Sequence, residues 1–148
     1  MIQTQKASPR ATVLVVDDDE SMLEYVRTML KLDAYKVETA RGGHAALEKL
    51  RAGLAPDLVL LDVQMPGMDG LETLRQLLKM RSGLKVIMCS CANDPRKALS
   101  ALLLGARDYL TKPFRHLYLS AALERCLHAA AKEPVPWNVV RDICEAPN

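Results

Sequence analysis

The sequence predicts an α/β fold with a parallel sheet covered by helices on both faces. Two observations carry this. Short, nearly continuous apolar runs, too short for buried helices, alternate along the chain with segments whose apolar residues recur at helical spacing. Runs apolar at almost every position suit strands buried on both faces, which is the usual state of a parallel sheet.

The first run, Val13-Leu14-Val15-Val16, ends on Asp17-Asp18. The next segment, Ser21 to Leu32, places Met22, Leu23, Val26, Met29 and Leu30 on one helical face, with Asp19 or Ser21 suited to cap it. A short strand around Lys36 to Thr39 leads through Gly42-Gly43 to a second helix, about His44 to Arg51, closed by Gly53. Leu58-Val59-Leu60-Leu61 ends on Asp62, and a turn-rich loop with Pro66, Gly67 and Gly70 precedes a helix carrying Leu71, Leu74, Leu77 and Leu78. A fourth strand, Lys85 to Cys89, ends on Ser90. Asn93-Asp94-Pro95 then reads as a helix start, with Leu99, Leu102 and Leu103 following up to Gly105. The fifth strand, Asp108-Tyr109-Leu110, runs into Thr111-Lys112-Pro113. A last helix is expected over Phe114 to Ala131, with Leu119, Leu123 and Leu127 four residues apart.

Length and composition agree with one compact unit. With 148 residues and 49% hydrophobic residues the chain can bury a core of Val, Leu, Ile, Ala and Met. The formal charge of +2 comes with no continuous basic run of the kind that reads nucleic acid. No apolar stretch approaches the ~20 residues that span a membrane, and the polar start reads as no signal peptide. A cytoplasmic protein is the expectation. Cys89, Cys91, Cys126 and Cys144 lack zinc-type spacing and are expected to be reduced, and His44, His116 and His128 form no cluster. The first 11 residues read as a flexible leader, residues 12–131 as the folded domain, and residues 132–148 as a tail or the start of a linker. Glu133-Pro134-Val135-Pro136 stops the last helix, and Trp137, Val139, Val140 and Ile143 are apolar enough to pack back.

Carboxylates at two strand ends are costly unless a cation or hydrogen bonds compensate them, so Asp17, Asp18 and Asp62 imply a shared charged site. Ser90 and Lys112, at the ends of two further strands, complete what a cation-assisted phosphoryl transfer site needs. The duller role for the aspartates is helix capping, which suits Asp19 best.

From about Thr12 to Ala131 the chain resembles the CheY-like receiver domain of bacterial two-component response regulators. The resemblance rests on Val15-Val16-Asp17-Asp18-Asp19, on Leu60-Leu61-Asp62-Val63-Gln64-Met65-Pro66-Gly67-Met68-Asp69-Gly70, and on Gly105-Ala106-Arg107-Asp108-Tyr109-Leu110-Thr111-Lys112-Pro113-Phe114. It implies a doubly wound, flavodoxin-like sheet of order 2-1-3-4-5, whose ligands bind beyond the carboxyl ends of the strands. It implies that Asp62 is the phosphoacceptor, charged by a sensor histidine kinase or phosphotransfer protein. Mg²⁺ would be held by Asp17, Asp18, Asp62 and the backbone carbonyl of Gln64, with Asp18 in the direct role and Asp17 acting through water. Lys112, before a cis proline, would pair with one phosphoryl oxygen, Ser90 would donate to another, and Tyr109 would turn inward as Ser90 moves.

The implied function is a signalling module of a phosphorelay with only self-directed phosphoryl transfer and autodephosphorylation. Its output would be a downstream protein, an output domain or a phosphorylation-dependent homodimer. That output would run through the surface of the fourth helix, fifth strand and fifth helix, where Arg96, Lys97, Arg107 and Arg115 are expected at the surface. Neither direct nucleic-acid binding nor a membrane is implied. Cys91 stands where many receivers carry Ala; it is expected to be structural while narrowing access to Asp62, with a reactive thiol as the alternative if it is exposed. Gln64 and Ala92 flank the approach of a hydrolytic water. Alternatives are the N-terminal receiver of a longer transcriptional regulator, a scaffold that is never phosphorylated, and a haloacid-dehalogenase-like phosphatase. The last needs a second acid where Gln64 stands.

Overall fold

The computed structural model describes residues 10–91 and 95–129. Five βα units follow in order: β1 (Thr12–Val16), α1 (Glu20–Leu32), β2 (Lys36–Ala40), α2 (Gly43–Arg51), β3 (Leu58–Asp62), α3 (Gly70–Met80), β4 (Lys85–Ser90), α4 (Pro95–Leu104), β5 (Asp108–Thr111) and α5 (His116–His128). The strands form one sheet of order β2-β1-β3-β4-β5, parallel throughout, as expected. The central strands divide their side chains between two cores by the period-2 rule. Leu14, Val16, Val59, Leu61, Val86 and Met88 pack with α2, α3 and α4. Val13, Val15, Leu58, Leu60, Ile87 and Cys89 face α1 and α5. All five residues of β3 are buried, because β3 is covered by helices above and below and by strands on either side.

Local signals set the helix starts that frame the upper edge. Asp19 caps α1, its Oδ1 accepting from Ser21 N at 2.9 Å. Asp69 caps α3 in the same way, accepting from Glu72 N at 2.8 Å. Gly70 follows that cap because a Cβ there would run into the Asp62 carbonyl oxygen and Val63 Cα. Only glycine lets the loop lie against the end of β3.

Two helices differ from expectation. The last one runs His116–His128 rather than from Phe114 to Ala131. Arg115 is its N-cap in an extended conformation, Phe114 is buried in the preceding loop, and Ala129 is already extended. Ala131 lies outside the described residues. In α4 the sheet-facing side chains are Ser100, Ala101 and Leu104, while Leu99 is 43% exposed and Leu102 and Leu103 are half-buried. The small residues let α4 approach the sheet closely, an apposition that counting leucines does not show. The readings made for residues 1–9, Ala92, Asn93, Asp94 and the tail from 130 onward, Trp137 and Cys144 included, fall outside the described residues.

Candidate functional site

Register brings the aspartates together. β1 and β3 are neighbours with Val16 opposite Leu61, so the next residues, Asp17 and Asp62, end adjacent strands side by side. Both are buried, at 4% and 7% exposure, while Asp18 points outward. Carboxylate oxygens of Asp17, Asp18 and Asp62 lie within 4.8 Å of one another. Backbone amides hold the group in place: Asp19 N donates to Asp17 Oδ1 at 3.0 Å and Gln64 N to Asp62 Oδ1 at 3.4 Å.

Lys112 supplies the counter-charge. Its amide donates to Ser90 O at 2.7 Å, which extends the pairing of β4 and β5, and the Lys112-Pro113 peptide is cis. Its side chain reaches back across the sheet end, placing Nζ 2.7 Å from Asp17 Oδ2 and 3.5 Å from Asp62 Oδ1. Burial pulls the ammonium pKa down, but the hydrogen bond to Asp17 and the charges of Asp62 and Asp17 outweigh it, so Lys112 stays firmly protonated. For Asp62 burial dominates and is reinforced by Asp17, while Lys112 and the Gln64 amide oppose it, and the pKa is pushed up to about 6. The sequence reading gave Lys112 a phosphoryl oxygen as partner; in the resting chain its closest carboxylate is Asp17. Nothing in the sequence distinguished Asp17 from Asp62 as that partner.

The remaining candidates sit around this centre. Ser90 ends β4 at 1% exposure. Tyr109 is half-buried against the α2–α4 core, and its hydroxyl is buried without a hydrogen-bond partner among the described residues. An orphaned hydroxyl of that kind costs about 1 to 3 kcal/mol. Gln64 is exposed, and its Oε1 accepts from Cys91 Sγ at 3.6 Å, a contact the sequence reading missed because it joins two loops. Cys91 itself is exposed, not a packed structural thiol. Cys89, beneath the site, is fully enclosed, and burial pushes its thiol up to about 12, so it is inert. Of the four basic residues expected at the surface, Arg96 and Arg115 are exposed, whereas Lys97 and Arg107 are half-buried. His44 is exposed, His116 pairs with Asp33 and His128 with Glu124, so no histidine joins the site.

A cleft of about 900 Å³ lies at the opposite end of the sheet, between Arg10, Asp57, Leu84 and Leu127. Its volume exceeds that of the small cavity beside Asp17, Asp62 and Lys112, yet the shifted carboxyl and the carboxylate group are at the latter. Chemistry, not volume, locates the site.

What such a site can do is bind a small divalent cation through hard oxygen donors and present Asp62 as a nucleophile. Among the described residues no helix is long and apolar enough to cross a membrane. The chain is similar in sequence and fold to several known proteins. The response regulator MprA of Mycobacterium sp. (strain KMS) is 38% identical over 124 residues, covering 84% of this chain and 54% of that protein. The CpxR homolog of Haemophilus influenzae is 40% identical over 119 residues, covering 80% of this chain and 51% of its own. The chain thus spans about half the length of these curated relatives. A CheY-like receiver domain protein from Methanospirillum hungatei superposes with a TM-score of 0.75 at 30% identity, covering 78% of this chain and 92% of that one. The chemotaxis protein CheY4 of Vibrio cholerae gives 0.74 at 32%, covering 78% and 98%. With residues 13–124 matching the family model for the response regulator receiver domain, this chain belongs to that family.

Proposed function

We propose that Asp62 accepts a phosphoryl group from a phosphohistidine on a sensor histidine kinase or phosphotransfer protein, and that the modified domain changes which downstream partner it engages. The observation that carries this is Asp62 itself, a buried carboxyl beside Lys112 and within 4.8 Å of Asp17 and Asp18 at one end of the sheet. A carboxylate oxygen of Asp62 attacks phosphorus as the phosphorus–nitrogen bond breaks, and the bonding pair returns to the imidazole of the donor. Asp17, Asp18, Asp62 and the Gln64 carbonyl would hold Mg²⁺, a fit supported by an all-oxygen donor set with excess negative charge. When bound, the ion neutralises charge that would otherwise repel the incoming phosphate. Lys112 then transfers its attention from Asp17 to the new dianion, and the Ser90 hydroxyl donates to a second oxygen.

These new hydrogen bonds favour a conformer with Ser90 drawn inward, and the Tyr109 ring follows into the space released. The α4–β5–α5 surface changes with it. A gain of a few kcal/mol suffices to invert two such populations. Coverage of about half of each relative supports a second form of the same reading, in which this receiver controls an attached output domain. One further relative, from Mycobacterium leprae, is described as a DNA-binding response regulator. The proposed setting is the cytoplasm.

Incubation with Mg²⁺ and acetyl phosphate should add one phosphoryl group, located on Asp62 by peptide mass analysis. No uptake, or undiminished uptake by Asp62→Asn, would overturn the assignment. Ser90→Ala should accept the phosphoryl group yet fail to show the beryllofluoride-induced change in partner binding or dimerisation. A wild-type response in that variant would sink the Ser90–Tyr109 coupling.

A further inference from the structure

Cys91 and Gln64 touch at the mouth of the site, and none of the roles above uses the contact. Asp62 stands opposite Cys89 in the β3–β4 pairing, so the two chains leave the sheet side by side. Gln64 is two residues beyond Asp62, and Cys91 directly follows Ser90. Cys91 Sγ donates to Gln64 Oε1 at 3.6 Å, and both residues are exposed. The Gln64 main chain is fixed as well, its amide donating to Asp62 Oδ1 at 3.4 Å.

A carboxamide offers an acceptor oxygen at one end and two N–H donors at the other. Which end faces the phosphoryl group decides what the side chain does there. Water attacks phosphorus through a lone pair, and an acceptor that takes a hydrogen bond from its O–H leaves that pair free and aims it. An N–H donor does the reverse: it occupies the lone pair, or binds a phosphoryl oxygen instead. The thiol takes one of the two lone pairs of Oε1 and fixes the direction in which that oxygen points, toward Cys91.

We propose that Cys91 is a positioning residue that withholds the Gln64 acceptor from the hydrolytic water and so prolongs the aspartyl phosphate. This rests on Asp62 being the phosphoacceptor. In the step concerned, the water oxygen bonds to phosphorus while the phosphorus–oxygen bond to Asp62 breaks. The bonding pair returns to the carboxylate, and the water proton leaves to solvent as inorganic phosphate is released.

The test follows loss of the phosphoryl group from pre-phosphorylated protein in Mg²⁺, after removal of acetyl phosphate. Cys91→Ala should release Gln64 and speed hydrolysis by roughly threefold to tenfold, the scale of one weak hydrogen bond. Cys91→Ser keeps a donor and should retain the wild-type lifetime. In a Gln64→Ala background, Cys91→Ala should change nothing, since the thiol acts only through the carboxamide. A wild-type lifetime for Cys91→Ala would overturn the inference. So would an equal acceleration in the Gln64→Ala background, which would make Cys91 a plain obstruction to water. Uptake is recorded separately: no uptake by any variant would overturn the phosphoacceptor reading, and this inference with it.

Discussion

At the N-terminal edge of the sheet, charged side chains find salt-bridge or main-chain partners, whereas at the C-terminal edge three carboxylates lie around one ammonium group among the described residues. Arg10 pairs with Glu124, Arg125 lies 3.2 Å from Asp108, and Asp57 accepts from Thr12 N at 2.8 Å. Lys85 donates to Leu127 O at 2.6 Å, satisfying one of the carbonyls left open at the end of α5. At the other edge Asp17 and Asp62 share Lys112, Asp18 adds further negative charge, and the Asp62 pKa is pushed up to about 6. The first arrangement spends its charges on closing the fold. The second leaves an electrostatic deficit inside a rigid frame, and such a deficit is what a cation or an altered charge state can fill.

The contrast breaks most sharply at Asp62. An ordinary aspartate titrates near 3.8, while in the folded chain Asp62 holds its proton up to about 6. The folded state therefore binds more protons across that window, and stability from this group is full below it and declines as pH rises through 6. The loss is on the order of 3 kcal/mol. Asp62→Asn should remove this slope in metal-free buffer and be more stable than the wild type above pH 6 by a similar amount. Urea titrations at pH 4.5 and 7.5 would show it, and a variant less stable than wild type at pH 7.5 would refute the deficit.

A second comparison uses Mg²⁺ itself. An ion that binds only the folded state at ten times its dissociation constant adds about 1.4 kcal/mol. Asp18→Ala should lose that gain while melting normally without metal, because Asp18 is exposed. An unchanged Mg²⁺ response would remove Asp18 from the metal shell.

The smallest effect belongs to the other edge. Lys85→Met should cost about 1 kcal/mol by uncapping Leu127 O, with no change in phosphoryl uptake. A loss of uptake in that variant would mean the two edges are not independent.

The strands and the charged cluster were legible because β-strands of a doubly wound sheet are apolar nearly throughout and stop abruptly. Asp17, Asp62 and Ser90 mark those stops. The family resemblance added the order of the strands and the cis peptide at Pro113, and both are present. What stayed hidden was set by packing across loops or between layers. Leucines on α4 did not predict that Ser100 and Ala101 would face the sheet, since close approach rewards small side chains over apolar ones. Nor does a one-dimensional pattern show that Phe114 is a buried loop residue, or that Cys91 meets Gln64 across 27 positions of chain.

Lys112 has one more consequence. Its ammonium group already occupies the region that a metal ion would neutralise, held there by a main chain tied to Ser90 O at 2.7 Å. A cation delivered by tether loses little freedom on arrival, so it is an ever-present competitor for Asp17 and Asp62. On the proposed metal site, a free ion would have to displace it, which would weaken apparent metal affinity in the resting protein. With the proposed dianion on Asp62, the lysine would have a better partner, and Asp17 would be released to the metal. Donor and ion then cease to be rivals, so phosphorylation should tighten Mg²⁺ and Mg²⁺ should tighten the phosphorylated state by the same factor.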